Sequence, residues 1–375
     1  MVKTLKHMQD YMDDVLKKNY VTFLKDRKNE NPLIKTYIFE NHTIKDSTNK
    51  TNQVLETLNF LKNDKKESFK IKESEDVDMV ILENNNAQYF FDISNTRFWK
   101  MHSLDYAKNT DKLQNILLKQ MNMDSIWLPS SFMYSTKDKV GDLYSLGISF
   151  KDILEEESTS NIERFLNESN DLNLQLSKKM ADPIISSLLN ENFQKELAFN
   201  SIGLLTNDDD DFIVDTIKYH GKFTARGNSF SMHIHNVNNV LDDYINKIVQ
   251  LEKELPLKYV ENKLYGNYAY IKLSKQVDIF KFIDLLCDGK KPFRLFGTPI
   301  ASGNIITINA IDTHVGNFAK KLNININTKT NELMVELLEN SCGNSIARLI
   351  TNINLFVDAS ATVMVGDNKH DYFRY

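Results

Sequence analysis

Apolar residues recur at three- and four-residue intervals near the start of the chain, at Leu16, Tyr20 and Leu24, and again at Val54, Leu55, Leu58 and Leu61. That spacing lines one face of a 3.6-residue helix. Residues 5–62 are therefore expected to form two amphipathic helices separated by the polar stretch ENHTIKDSTNKTN. From Val77 the pattern changes: apolar runs Val77–Leu82 and Tyr89–Ile93 flank Asn84, Asn85 and Asn86, which predicts a β-hairpin with a turn at the asparagines. The hairpin leads into NTRFWKMHS, a helix over 104–121, and SIWLPSSF as a short strand turning at Pro129.

The segment EEESTSNIERFLNESNDLNLQLSKK is polar and charged, and is expected to be a connector carrying helix. Strands LAFNSIGLL and DFIVDTIKYH follow, then a helix to about Glu254 with Val237, Leu241, Tyr244, Ile245 and Ile248 on one face. Next come the strand NYAYIKL, the helix DIFKFIDLLCDG closed by Gly289, and the strands PFRLFG, NIITINAI, LNININ and ELMVELLE. A last helix, SIARLITNINLFV, carries Ile346, Leu349, Ile350, Ile353 and Val357 on one stripe. The predicted class is α+β and multi-domain, with a helical N-terminal region, mixed or antiparallel sheets with packed helices, and a compact C-terminal α+β domain. The expected blocks are 1–155, 156–258 and 259–375.

Length supports that division, since 375 residues exceed what one core usually serves. Hydrophobic residues at 41% and charged residues at 26% exclude a disordered chain. Charge narrows the partners: 46 basic against 51 acidic residues give a net charge of −5, so any nucleic-acid surface must be local. The two cysteines, Cys287 and Cys342, are too few for a disulfide framework and lack zinc-ribbon spacing, which favours a reducing cytosol and small buried thiols. MVKTLKHMQDYMDDVLKK contains acids and no apolar h-region, and nowhere do 18 apolar residues run together. A cytoplasmic protein with no membrane partner is expected. Frequent Asn, Lys and Ile fit an AT-rich coding bias.

Four stretches carry candidate chemistry. KYHGKFTARGNSFSMHIH gathers Lys218, His220, Lys222 and Arg226 with Gly221 and Gly227, donors suited to an anionic backbone. It can equally be a solvated basic hairpin balancing Asp208–Asp211. His233 and His235 share a face if SFSMHIH is extended and diverge if it is helical; a zinc site also needs further ligands, for which His220 and Asp215 are dispersed possibilities. In ENSCGNSIARL, residues Ser341 to Ser345 precede a helix whose free N–H groups suit a phosphate, with Asn344 and Arg348 at hand; the plainer reading is that Ser341 or Asn344 caps the helix.

KKPFRLFGTP interleaves Lys290, Lys291 and Arg294 with Phe293, as in a base-stacking platform or a core strand with exposed cations, and the Asp312/His314 pair nearby has little specificity. Asp78, Asp92 and Lys100 could serve a metal-dependent nuclease, but DISNTRFWK stands where a tight acid-x-Lys pair is wanted. There is no Walker loop, G-x-G-x-x-G, G-x-S-x-G or H-E-x-x-H. The expectation is a non-catalytic protein without metal or cofactor that binds an anionic partner, foremost nucleic acid, as a subunit of a prokaryotic defence or mobile-element system. The alternatives are a metal-dependent nuclease and a protein-interaction subunit docking through its helical N-terminus.

Overall fold

Between the two N-terminal helices lies a strand, Ile34–Asn41, and every residue in it is buried. The all-helical expectation for 5–62 is corrected here. A central strand covered on both faces shows no polar alternation to mark it, although its Thr, Tyr, Ile and Phe content is strand-like. In this computed structural model the described residues are 2–25, 33–42, 50–63, 69–120, 123–154, 171–177, 181–190, 197–314, 320–338 and 341–374. Residues 155–170 of the expected connector lie outside them, and 171–177, expected within a helix-bearing connector, form a strand.

The strands are β1 (Ile34–Asn41), β2 (Lys70–Glu73), β3 (Met79–Glu83), β4 (Gln88–Asp92), β5 (Phe98–Ser103), β6 (Met123–Ser125), β7 (Asp142–Lys151), β8 (Asp171–Ser177), β9 (Phe199–Asp208), β10 (Asp211–Lys218) and β11 (Lys222–Gly227). They continue with β12 (Lys258–Val260), β13 (Lys263–Tyr265), β14 (Ala269–Lys272), β15 (Leu295–Phe296), β16 (Pro299–Ser302), β17 (Ile305–Asp312), β18 (Lys321–Asn327), β19 (Glu332–Leu337) and β20 (Thr362–Val365). Among the described residues they form antiparallel sheets of 11 and 7 strands and a separate two-stranded ribbon; with the packed helices the class is α+β. No helix is long and apolar enough to cross a membrane among the described residues.

The chain forms two compact units. The first holds residues 1–126, 140–142 and 203–239. Its strands run in the order β2-β3-β4-β5-β1-β11-β10, with β6 also on β1. One sheet face carries Ile34, Ile81 and Phe90 and is covered by Met8, Met12 and Leu16 of the helix Leu5–Lys25. The other carries Tyr37, Phe39 and Trp99 and is covered by Val54, Leu58, Leu113 and Leu117 from the helices Lys50–Leu58 and Ala107–Leu117.

The second unit holds residues 127–139, 143–202 and 240–375. Its main sheet runs β15-β17-β18-β19-β14-β20, with β16 also on β17. Alternate positions such as Ile308, Ile324, Val335, Ile271 and Val363 are fully buried. Their neighbours Thr307, Asn325, Met334, Tyr270 and Met364 form one cross-strand row on the opposite, more open face. The period-2 reading of these strands thus separates a core face from an outer face. The helices Ile279–Cys287 and Asn344–Phe356 supply apolar partners; Asp278 caps the first, and the second is buried along most of its length.

Candidate functional site

The densest polar chemistry lies inside the first unit, where β1, β5, β4 and β10 meet the helix Phe230–Glu254. Thr36 and His102 are directly opposed on β1 and β5, and the Thr36 hydroxyl lies 2.8 Å from His102 Nδ1 and 2.7 Å from His233 Nε2. His233 Nδ1 lies 2.5 Å from Asp215 Oδ1, and Asn236 Nδ2 donates to Asp215 Oδ2 at 2.9 Å and to Thr206 at 3.0 Å. A carboxylate only accepts, so the proton between Asp215 and His233 sits on Nδ1. The Thr36 hydroxyl has one proton and donates to one imidazole while accepting from the other, which couples the tautomers of His102 and His233. Burial first, then Lys100 and His233, pushes His102 down to about 3, so it is neutral. Thr36, His102, Asp215 and His233 are all fully buried.

The nuclease-like trio separates. Asp92 and Lys100 are directly opposed on β4 and β5 and pair at 2.8 Å, while Lys100 Nζ also donates to Asn238. Burial raises the Asp92 carboxyl, but Lys100 holds it below its ordinary value. Asp78 pairs with Lys50 instead. Each carboxylate is neutralised by its own lysine, so the two do not converge.

Of the basic stretch, Lys218, Lys222 and Arg226 fall on one sheet face by register, but their fates differ. Lys218 and Arg226 are exposed. Lys222 is buried, pairs with Asp111 at 2.6 Å and sits 5.4 Å from the Tyr37 ring centroid, so it is not a surface cation. His220 lies in the turn and is pushed down to about 4, by burial first and then by Lys218 and Lys222. His233 and His235 diverge because the chain is already helical from Phe230: one is buried, the other exposed.

In the second unit, Lys290 and Lys291 are exposed and Arg294 is half-buried with φ of 54°. Phe293 is 2% exposed and packs edge-on against Phe282, which makes it core rather than platform. Asn344 accepts from the Tyr244 hydroxyl, and buried Arg348 pairs with buried Asp312, so neither presents itself to a ligand. The N-terminus of their helix already has an anion: Glu252 accepts from the Gly343 N–H at 2.9 Å. His314 is pushed down to about 2 by burial and then by Arg348, Arg294 and Lys291, which removes it as a base for Asp312. Both cysteines are buried and neither is in a disulfide.

Sequence reasoning missed the aromatic residue of KKPFRLFG that does face outward. Phe296 is 58% exposed and in register with Ile311, which is in register with Lys321 on β18, so the three form a row across the outer face. Its strand neighbour Leu295 is buried, and alternation from Leu295 is the signal that marks Phe296. The backbone of Gly289, next to Lys290, comes near Phe296: a Cβ built there would lie 4.0 Å from the Phe296 Cβ. The second omission is the ribbon β12–β13, with Tyr259 at 72% and Tyr265 at 52% exposed.

A family model described as MJECL33-like protein matches residues 1–372. The chain belongs to that family. It is 24% identical over 399 residues to MJECL33 of Methanocaldococcus jannaschii, described as an uncharacterized protein, with 96% of this chain and 93% of that protein covered. The likeness therefore extends through both units rather than to one of them.

Proposed function

We propose that this protein binds nucleic acid without acting on it, and that the outer face of the second unit's seven-stranded sheet is the main contact surface. The observation that carries this is Phe296, exposed on a sheet face beside Ile311, with Lys321 next in the same row; Asp288 is opposed to Phe296 on its other side, and the exposed Lys290 and Lys291 follow Asp288 in the chain. An open β-surface with exposed aromatic residues stacks bases, and lysines at its margin meet phosphates. Core positions do not compete for this role, because the inner face of the same strands already supplies the apolar packing. The non-catalytic part of the reading is supported by Asp92 and Asp78, each spent on a lysine partner. Lys218 and Arg226 are exposed cations of the first unit and a secondary contact. The expected role as a subunit of a defence or mobile-element system stays part of this proposal.

The test is fluorescence anisotropy with labelled single- and double-stranded oligonucleotides at low and moderate salt. Binding whose affinity falls steeply with salt, with the oligonucleotides recovered uncut in magnesium, supports the reading. Absence of binding at low salt, or cleavage lost in Asp92→Ala, overturns it.

A second reading keeps one observation. The helix Leu5–Lys25 buries Met8, Met12 and Leu16 but leaves Val21, Phe23 and Leu24 exposed at its last turns, an apolar end suited to a protein partner. A stoichiometric partner that co-purifies with the wild type and is lost from a folded Phe23→Ser/Leu24→Ser variant supports it.

A further inference from the structure

The ribbon β12–β13 pairs with neither of the two large sheets. Its register is Lys258 to Tyr265, Tyr259 to Leu264 and Val260 to Lys263. Directly opposed residues share a face, so Lys258, Lys263 and Tyr265 project to one side and Tyr259 to the other. Glu261 and Asn262, the two turn residues, have φ of 49° and 61°. Positive φ at both positions is the type I′ arrangement, whose twist matches that of a hairpin, so the ribbon is built from its own turn chemistry. A two-stranded ribbon gains little stability alone and ordinarily buries its large side chains against a larger body. Here both tyrosines stay exposed, Tyr265 on the face that carries Lys258 and Lys263.

The ribbon is held to the sheet at its base. Gly266 has φ of 125°, and a Cβ there would stand 2.7 Å from the Pro256 carbonyl oxygen and 2.8 Å from Leu257 Cα, so the two strands close tightly at their root. Only Gly266, Asn267 and Tyr268 separate β13 from β14. Tyr268 and Tyr270 are two apart and their rings meet edge-on at 6.3 Å. Tyr270 belongs to the outer-face row Met364–Tyr270–Met334–Asn325–Thr307, and Thr307 shares a strand face with Ile311. A run of tyrosines therefore leads from the ribbon onto the face that carries Phe296.

We infer that the ribbon and the Tyr268/Tyr270 end of β14 form a stacking track that selects single-stranded nucleic acid, with Lys258, Lys263 and Lys272 meeting its phosphates. The inference rests on the nucleic-acid reading above and adds the strand type and the selecting residues. Charge favours this occupant, because residues 258–272 carry three lysines against Glu261 alone. Ring geometry favours single strands over duplex: rings exposed on both sides of a ribbon stack on unpaired bases, whereas bases in a duplex are already stacked on one another. A protein partner is served less well, since Lys258 and Lys263 share the ribbon face that carries Tyr265.

The experiment compares the full-length wild type, Tyr259→Ala/Tyr265→Ala and Tyr259→Phe/Tyr265→Phe on a labelled single strand of mixed sequence and on its duplex. The wild type is expected to bind the single strand at least roughly 10-fold tighter than the duplex, and the alanine variant to lose roughly 10-fold or more on the single strand. The phenylalanine variant, which keeps the rings, is expected to bind like the wild type. Circular dichroism melts should coincide for all three, because the altered residues are exposed. Equal wild-type affinity for single strand and duplex, or an alanine variant that binds the single strand as the wild type does, overturns the inference and leaves the broader nucleic-acid reading standing. Wild type that binds neither probe at low salt overturns both.

Discussion

The Thr36 hydroxyl sits between two buried imidazoles, 2.7 Å from His233 and 2.8 Å from His102. It is the hinge of the polar network under the helix Phe230–Glu254, and its chemistry matters more than its volume. Thr36→Val keeps the shape and removes the hydroxyl, leaving two buried ring nitrogens without a partner, at about 1–3 kcal/mol each. Thr36→Ser keeps the hydroxyl and loses a methyl, about 1 kcal/mol. Urea unfolding should therefore rank valine as the more damaging substitution. The opposite order would mean that packing, not hydrogen bonding, holds this site.

Asp215 is the only charged acceptor on His233, and it also receives Asn236. Asp215→Ala leaves the buried donors of His233 and Asn236 without their acceptor and is expected to cost about 1–3 kcal/mol for each. Asp78→Ala, which removes a partly exposed pair with Lys50, is expected to cost under about 1 kcal/mol. Denaturant midpoints for the two variants check the contrast; equal losses would contradict it.

Acid should destabilise the fold before the carboxylates titrate. His102, His220 and His314 are pushed down to about 3, about 4 and about 2, first of all by burial. Below the ordinary histidine value near 6.5 the unfolded chain takes up protons that the folded chain refuses, so stability falls as pH drops from about 6.5 towards those values. Each histidine contributes a slope of about 1.4 kcal/mol per pH unit in that window. Urea midpoints at pH 7.5 and pH 5 check this, and a midpoint that stays constant would falsify it.

Phe293 and Phe296 are three residues apart and have opposite roles. Phe293→Ala empties a core position and is expected to cost about 3–5 kcal/mol with no direct effect on nucleic-acid contacts. Phe296→Ala is expected to leave thermal stability nearly unchanged and to weaken single-strand binding by about 1–3 kcal/mol. Similarly, Lys222→Ala should lower stability, because it takes the cation from Asp111 and from the Tyr37 ring and leaves Asp111 with the Tyr37 hydroxyl as donor, while the salt dependence of binding stays as it was.

Periodic segments were legible in the sequence. The alternation in NIITINAI and LNININ emerges as read, because each of those strands has one face to bury and one more open; the hairpin around Asn84–Asn86 was marked by its turn residues and the last helix by its apolar stripe, although both are buried on nearly all sides. Strand β1 was not legible, since both of its faces are covered. The candidate site was legible only in part, and for a consistent reason: sequence shows where cations are dense but not where their counter-charges are. Asp111 comes from a helix more than a hundred residues before Lys222, and Asp312 lies on a strand 36 residues before Arg348. The buried network was hidden for the same reason, assembled from Thr36, His102, Asp215 and His233 across almost two hundred positions. Phe296 and Tyr259 could have been found by strand alternation and by the turn at Glu261–Asn262.

Lys321 on the second unit's outer face, with Lys290 and Lys291 in the segment before β15, is proposed to meet phosphates. The most direct measurement is the slope of log affinity against log salt for single-stranded nucleic acid, taken for wild type and for Lys290→Ala/Lys291→Ala/Lys321→Ala. Each phosphate contact contributes about 0.7 to that slope on single strands. The wild type is expected to show a steep dependence and the variant a slope shallower by roughly 2, with thermal stability unchanged. A variant slope equal to that of the wild type, or a wild type that does not bind at low salt, would contradict it.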